Sequence, residues 1–122
     1  MEMSKYKELS IENSYVEKKL RNAIKFVSYI PFVYKTNPYS YTYYHSLDTY
    51  ILITKEIVNG AGIELKAVKI RGKKVRIEWD YTSNKENYRQ ISIRGKEFTY
   101  VLIQLEKPPF TGVNIELIKA ST

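Results

Sequence analysis

The chain has no cysteine and only one histidine, His45, in 122 residues. Without cysteine it can form no disulfide framework, no thiolate metal site and no cysteine nucleophile. With a single imidazole, metal sites built on two histidines are closed to it. So is the histidine pair of rolling-circle replication nucleases. Four Pro and five Gly are few, which argues against long flexible linkers. No apolar run approaches the roughly 18 residues needed to span a bilayer. The opening Met-Glu-Met-Ser-Lys has no apolar stretch behind it, so no secretory signal is read there and a cytoplasmic protein is expected. Acid is also short: 13 Asp and Glu face 20 Lys and Arg, for a net charge of +7.

What is present suits a folded domain. Apolar residues make up 43% and charged residues 27%, too apolar for a disordered chain. The length fits one domain over residues 1–122, large enough to hold together by its own core. Abundant Lys and Glu with scarce Met and Gln form a thermophile-like pattern. An AT-rich genome would also enrich Lys, Ile, Tyr and Asn. Both hold for a protein of a thermophilic archaeon or its virus.

Val16, Leu20, Ala23, Ile24 and Val27 recur at the helical period, so an amphipathic helix is expected there. Ser14 and Glu17 have capping-box spacing just ahead of it. Pro31 ends it. From Phe32 onward the pattern has period two, interrupted by turn signals at Asn37-Pro38, at His45 to Asp48 and at Asn59 to Gly62. Thr49 to Val58 and Phe98 to Leu105 are apolar on both faces, as in central strands covered on both sides. Ile63 to Ile70 slips phase between Ala67 and Val68, which suggests a bulge. Val75, Ile77 and Trp79 alternate with polar residues and point into the core. Pro108-Pro109 interrupts pairing, and Val113 to Ile118 is the last strand. The expected fold is α+β: one N-terminal helix packed on a curved antiparallel sheet, or a small partly closed barrel, of about six or seven strands.

Leu65 to Trp79 carries Lys66, Lys69, Arg71, Lys73, Lys74 and Arg76, with no acid between Glu64 and Glu78. With the bulge, Lys69 and Arg71 share a face, and Lys74 and Arg76 join them across the turn. Like charges opposed on a sheet destabilise it, so a cluster kept at that cost points to an anionic partner; the alternative is a solvated face that keeps a thermophile-like protein soluble. A second turn adds Arg89, Arg94 and Lys96. Ile70 to Lys73 and Ile93 to Lys96 both read Ile-Arg-Gly-Lys, too short a match to count as a repeat. Phosphate backbones fit such a cluster, and Tyr39, Tyr41 and Tyr43, alternating with Ser40 and Thr42, could stack bases beside it. DNA or RNA is therefore one expected partner. The competing reading is a protein-interaction module, a subunit or inhibitor of a larger complex, using exposed Tyr and open sheet edges. Those edges would also serve a homo-oligomer.

Chemistry is poorly represented. Asp48 followed by Glu64-Leu65-Lys66 on neighbouring strands matches the metal-binding pattern of restriction-endonuclease-like nucleases, with Glu17 as a possible helix carboxylate. Those enzymes continue from Glu-x-Lys into a helix, whereas here a Gly turn and another strand follow. Gly72 and Gly95 are isolated and form no phosphate-binding loop. No zinc-finger spacing, helix-turn-helix or aromatic RNA-binding motif is found. No catalytic residue, metal ligand or cofactor is assigned, and no membrane partner is expected.

Overall fold

The structure, a computed structural model, describes residues 6–13, 16–29, 38–45, 48–57, 59–105 and 112–120. Along the chain come β1 (Tyr6–Leu9), a short 3-10 turn (Ile11–Asn13), α1 (Glu17–Val27), β2 (Tyr39–His45), β3 (Asp48–Glu56), β4 (Gly62–Arg71), β5 (Lys74–Thr82), a second 3-10 turn (Lys85–Asn87), β6 (Arg89–Ile93), β7 (Lys96–Leu105) and β8 (Asn114–Lys119). Helix α1 forms where the apolar stripe placed it. Val16, Leu20 and Ile24 are buried and Ala23 is half-buried, while Lys18, Lys19 and Lys25 face solvent. Glu17 and Arg21 add an i,i+4 ion pair at 2.7 Å. The expected cap at Ser14 and the stop at Pro31 lie outside the described residues, as do Asn37 and Pro108-Pro109.

The strands make two sheets rather than one. The larger runs β1-β7-β3-β2, with β6 also paired to β7. β6 and β1 share one side of β7, taking Lys96–Tyr100 and Leu102–Leu105 respectively. The smaller sheet runs β4-β5-β8. There β5 and β8 are parallel, so the architecture is mixed rather than wholly antiparallel. Neither sheet closes into a barrel. The strand beyond the expected six or seven is β1, whose Tyr-Lys-Glu-Leu is too short and too exposed to show a period.

Two apolar layers sandwich the larger sheet. On one face Tyr50, Leu52, Phe98, Tyr100 and Leu102 pack against Ile11, Val16, Leu20 and Ile24. On the other, Ile51, Ile53, Val101, Ile103 and Leu105 pack against Ile63, Val68, Val75, Ile77 and Trp79 of the smaller sheet. The molecule is thus three layers deep: helix, five strands, three strands. β3 and β7 are central and covered on both faces, which is why they read as apolar throughout. Thr99 stitches the layers together: its hydroxyl accepts from Ile63 N–H at 3.0 Å, and its carbonyl accepts from the Thr54 hydroxyl at 3.0 Å.

The bulge in β4 falls between Leu65 and Ala67, one residue earlier than expected, making Lys66 the extra residue. It returns Val68 and Ile70 to the face that Ile63 and Leu65 began. The two Ile-Arg-Gly-Lys segments form different turns. β4 and β5 are joined by Gly72-Lys73, with positive φ only at Gly72; β6 and β7 are joined by Arg94-Gly95, with positive φ at both residues. These are the patterns of type II′ and type I′ hairpins. The same four letters are displaced by one residue relative to the turn, so they are not structural equivalents.

Candidate nucleic-acid interface

Inward residues of the smaller sheet alternate with outward ones, and the outward ones carry the charge. Lys69 lies opposite Arg76 and Arg71 opposite Lys74 in the β4–β5 register. These four side chains line a shallow groove of about 250 Å³. All are exposed, as are Lys66 and Lys73. Opposed like charges on a sheet cost roughly 0.2–1 kcal/mol per pair. Acids on the same face offset part of this. Glu116 of β8 sits 3.5 Å from Lys74 Nζ and 3.4 Å from Arg76 Nε, and Glu78 sits 3.2 Å from Lys69 Nζ. The two cations, with a hydrogen bond from Arg76, pull the Glu116 carboxyl below its ordinary range despite an opposing desolvation effect. Among the described residues, Arg71 and Lys73 make no ion pair. Lys66, at the bulge, is held at 3.3 Å from Glu64.

Arg94 and Lys96 are not part of this cluster. The Lys73 carbonyl accepts from Asn114 N–H, and Val113 N–H donates to the Tyr44 hydroxyl. Tyr44 pairs with Thr49, which pairs with Leu105 at the C-terminal end of β7. Lys96 begins that same strand, nine residues earlier, so the two turns stand at opposite ends of the molecule, roughly 30 Å apart at ~3.3 Å per residue. Arg94 is engaged there by Tyr29: its guanidinium lies 4.1 Å from the ring centroid and donates to the phenolic oxygen.

Tyr39, Tyr41 and Tyr43 do not reach the basic face either. They are half-buried against the helix-side core, with Lys19 Nζ 5.9 Å from the Tyr43 ring centre. The larger sheet separates them from the cations. Their rings flank the helix-side core at the β2 edge of the larger sheet, a role that alternation alone could not distinguish from a recognition role. Trp79 is in the core at 4% exposed, in edge contact with Tyr81.

The nuclease-like pattern is not assembled. Asp48 lies beside the Leu105 end of β7, whereas Glu64 follows Ile63, which is bonded to Thr99. Six residues of strand, roughly 20 Å, separate the two. No group of three or more potential metal ligands occurs among the described residues. His45 is exposed and stacks on Tyr43 at 6.2 Å, across the hairpin from Asp48.

One titratable group sequence reasoning missed is Lys55, only 5% exposed on the inter-sheet face of β3. Its ammonium lies 5.7 Å from the Tyr81 ring centre, and Lys119 approaches the same ring at 5.6 Å. Burial lowers the Lys55 pKa, with Glu56 opposing. The unfolded chain therefore holds this proton to higher pH than the folded one, and stability should rise with pH below the ordinary 10.5. Burial raises the phenols of Tyr81 and Tyr100, which acts in the opposite direction only above about pH 10. Lys55→Met is expected to flatten the rise in melting temperature as pH approaches the ordinary 10.5 from below. An unchanged slope in thermal melts would show that Lys55 titrates alike in both states. The sequence signal was available: Lys55 falls in alternation with Ile51 and Ile53, on the face they bury.

No protein family model, curated protein or solved structure matches this chain. No helix among the described residues is long and apolar enough to cross a membrane.

Proposed function

We propose that this protein binds nucleic acid non-enzymatically through the phosphate backbone, using the outer face of the β4-β5-β8 sheet. The observation supporting the reading is the convergence of Lys69, Arg71, Lys74 and Arg76, in two directly opposed like-charge pairs, on one groove. Such a pairing weakens the sheet unless an anion neutralises it. Phosphates do so, and each one engaged releases counterions. Arg94 and Lys96 belong to a separate pole, and the tyrosine row packs on the helix-side core rather than this face.

Fluorescence anisotropy with labelled oligonucleotides across a salt titration tests the reading. Binding should weaken with salt, with a logarithmic slope near −3 to −4 for about four contacts. No binding at low salt would return the cluster to a solvated surface. Glu116 offers a sharper check, because it competes with phosphate for Lys74 and Arg76. Glu116→Gln should tighten binding about two- to fivefold, the effect of relieving one exposed ion-pair competitor at roughly 0.5–1 kcal/mol. Unchanged affinity would place the bound strand elsewhere.

A second reading has its own observation. Phe26 and Tyr29 are 58% and 56% exposed at the C-terminal end of α1. Exposed aromatics suit a protein partner, and that pole is remote from the basic groove.

A further inference from the structure

We infer that the basic face takes double-stranded rather than single-stranded nucleic acid, an inference that rests on the phosphate-binding reading above. Proteins that hold single strands combine cations with aromatic rings on which bases stack, each stacked base contributing about 1–3 kcal/mol. Among the described residues no such ring stands beside the four cations; Tyr88 packs over the outer side of Gly62, at the far end of β4 from Lys69 and Arg71. Between and beyond its charged positions, alternation leaves Gly62, Ala67, Thr82, Asn114 and Ile118 facing out. The aromatics nearest in sequence, Trp79 and Tyr81, pack on the opposite side, in the inter-sheet core. Tyr39, Tyr41 and Tyr43 lie beyond the larger sheet. A splayed single strand held by the four cations would offer its bases to a stretch of surface with no ring beside it.

Charge density points the same way. Lys69 and Arg71 are two residues apart on β4, as are Lys74 and Arg76 on β5, so the cluster extends roughly 7 Å along the strands. Over that length of axis a duplex carries about four phosphate charges and a single strand about two. The duplex thus presents the denser phosphate array to the four cations, part of whose charge Glu78 and Glu116 offset. The cluster is also bounded: Glu78 and Asp80 follow Arg76 along β5, and Glu64 lies opposite Asp80. A long flexible strand tracking the sheet would run into these carboxylates, whereas a rigid duplex can touch the basic end and leave.

The test compares, by anisotropy, a labelled DNA duplex of about 20 base pairs with its own labelled strand alone, from about 50 to 200 mM salt. The full chain is used, beside a variant carrying Lys69→Gln, Arg71→Gln, Lys74→Gln and Arg76→Gln. The duplex should bind at least tenfold more tightly, with the steeper salt slope, and the variant should lose that preference. Equal or tighter binding of the single strand overturns the inference and leaves the phosphate-binding reading standing. A duplex preference that survives in the variant overturns the assignment to this face. Absence of binding to either probe at the lowest salt overturns both readings.

Discussion

Neutralising Lys69, Arg71, Lys74 and Arg76 together to Gln is expected to weaken nucleic-acid binding about a thousandfold while leaving the fold intact. A basic residue near an anionic surface contributes about 1 kcal/mol, so four lost contacts amount to roughly three orders of magnitude. The logarithmic salt slope should fall by about 3 to 4, since each phosphate contact accounts for roughly 0.9 on a duplex. The cost to stability is small because opposite effects cancel. Two opposed like-charge pairs disappear, and so do three exposed ion pairs to Glu78 and Glu116. Each is of the order of 0.2–1 kcal/mol. The melting temperature should therefore move by no more than about 5 °C. Intact binding in the variant would remove this face from consideration. Loss of folding would mean that the four side chains support the sheet instead of standing outside it.

Truncating Tyr100 should have the largest effect on the fold itself. Its ring is 2% exposed on the helix side of β7, and its hydroxyl accepts the buried Ile11 N–H at 3.0 Å. One side chain thus packs the core and anchors the segment between β1 and α1. Tyr100→Phe removes only the hydrogen bond and should cost about 0.5–1.5 kcal/mol. Tyr100→Ala also leaves a cavity, and about 3–5 kcal/mol is expected. Against a total of roughly 5–15 kcal/mol, the second change brings the domain near unfolding. Urea denaturation at neutral pH separates the two. Equal losses for Phe and Ala would show that the ring contributes little packing. The phenol adds a pH dependence of its own. Burial raises its pKa, so its stabilising contribution is present below about pH 10 and is lost as pH rises through the higher folded value.

Much of the architecture was legible because apolar periodicity reports burial directly. The stripe from Val16 to Ile24 located α1. Two-faced apolar runs marked β3 and β7 as the covered centre of a sheet. The alternation of Val75, Ile77 and Trp79 placed Lys74 and Arg76 outside. The phase slip in β4 announced a bulge, displaced by one residue because a slip locates only the interval in which an extra residue lies. β1 was not legible, since three exposed residues and one half-buried Leu9 pair through backbone groups that leave no pattern in side-chain type. The parallel pairing of β8 with β5 was equally hidden, because pairing partners distant in sequence are chosen by packing between layers.

The sequence by itself determined that this is a basic, cysteine-free chain with one amphipathic helix, two central strands and a hairpin bearing four cations on one face. Each of these depends on local alternation, which is a property of neighbours along the chain. Only the tertiary structure decided which charged and aromatic groups meet. It parted two identical tetrapeptides by the length of β7, put the tyrosine row behind a sheet, and brought Glu116 of the last strand onto Lys74 and Arg76. Those outcomes follow from strand order and layer packing, which depend on contacts between residues far apart in the chain.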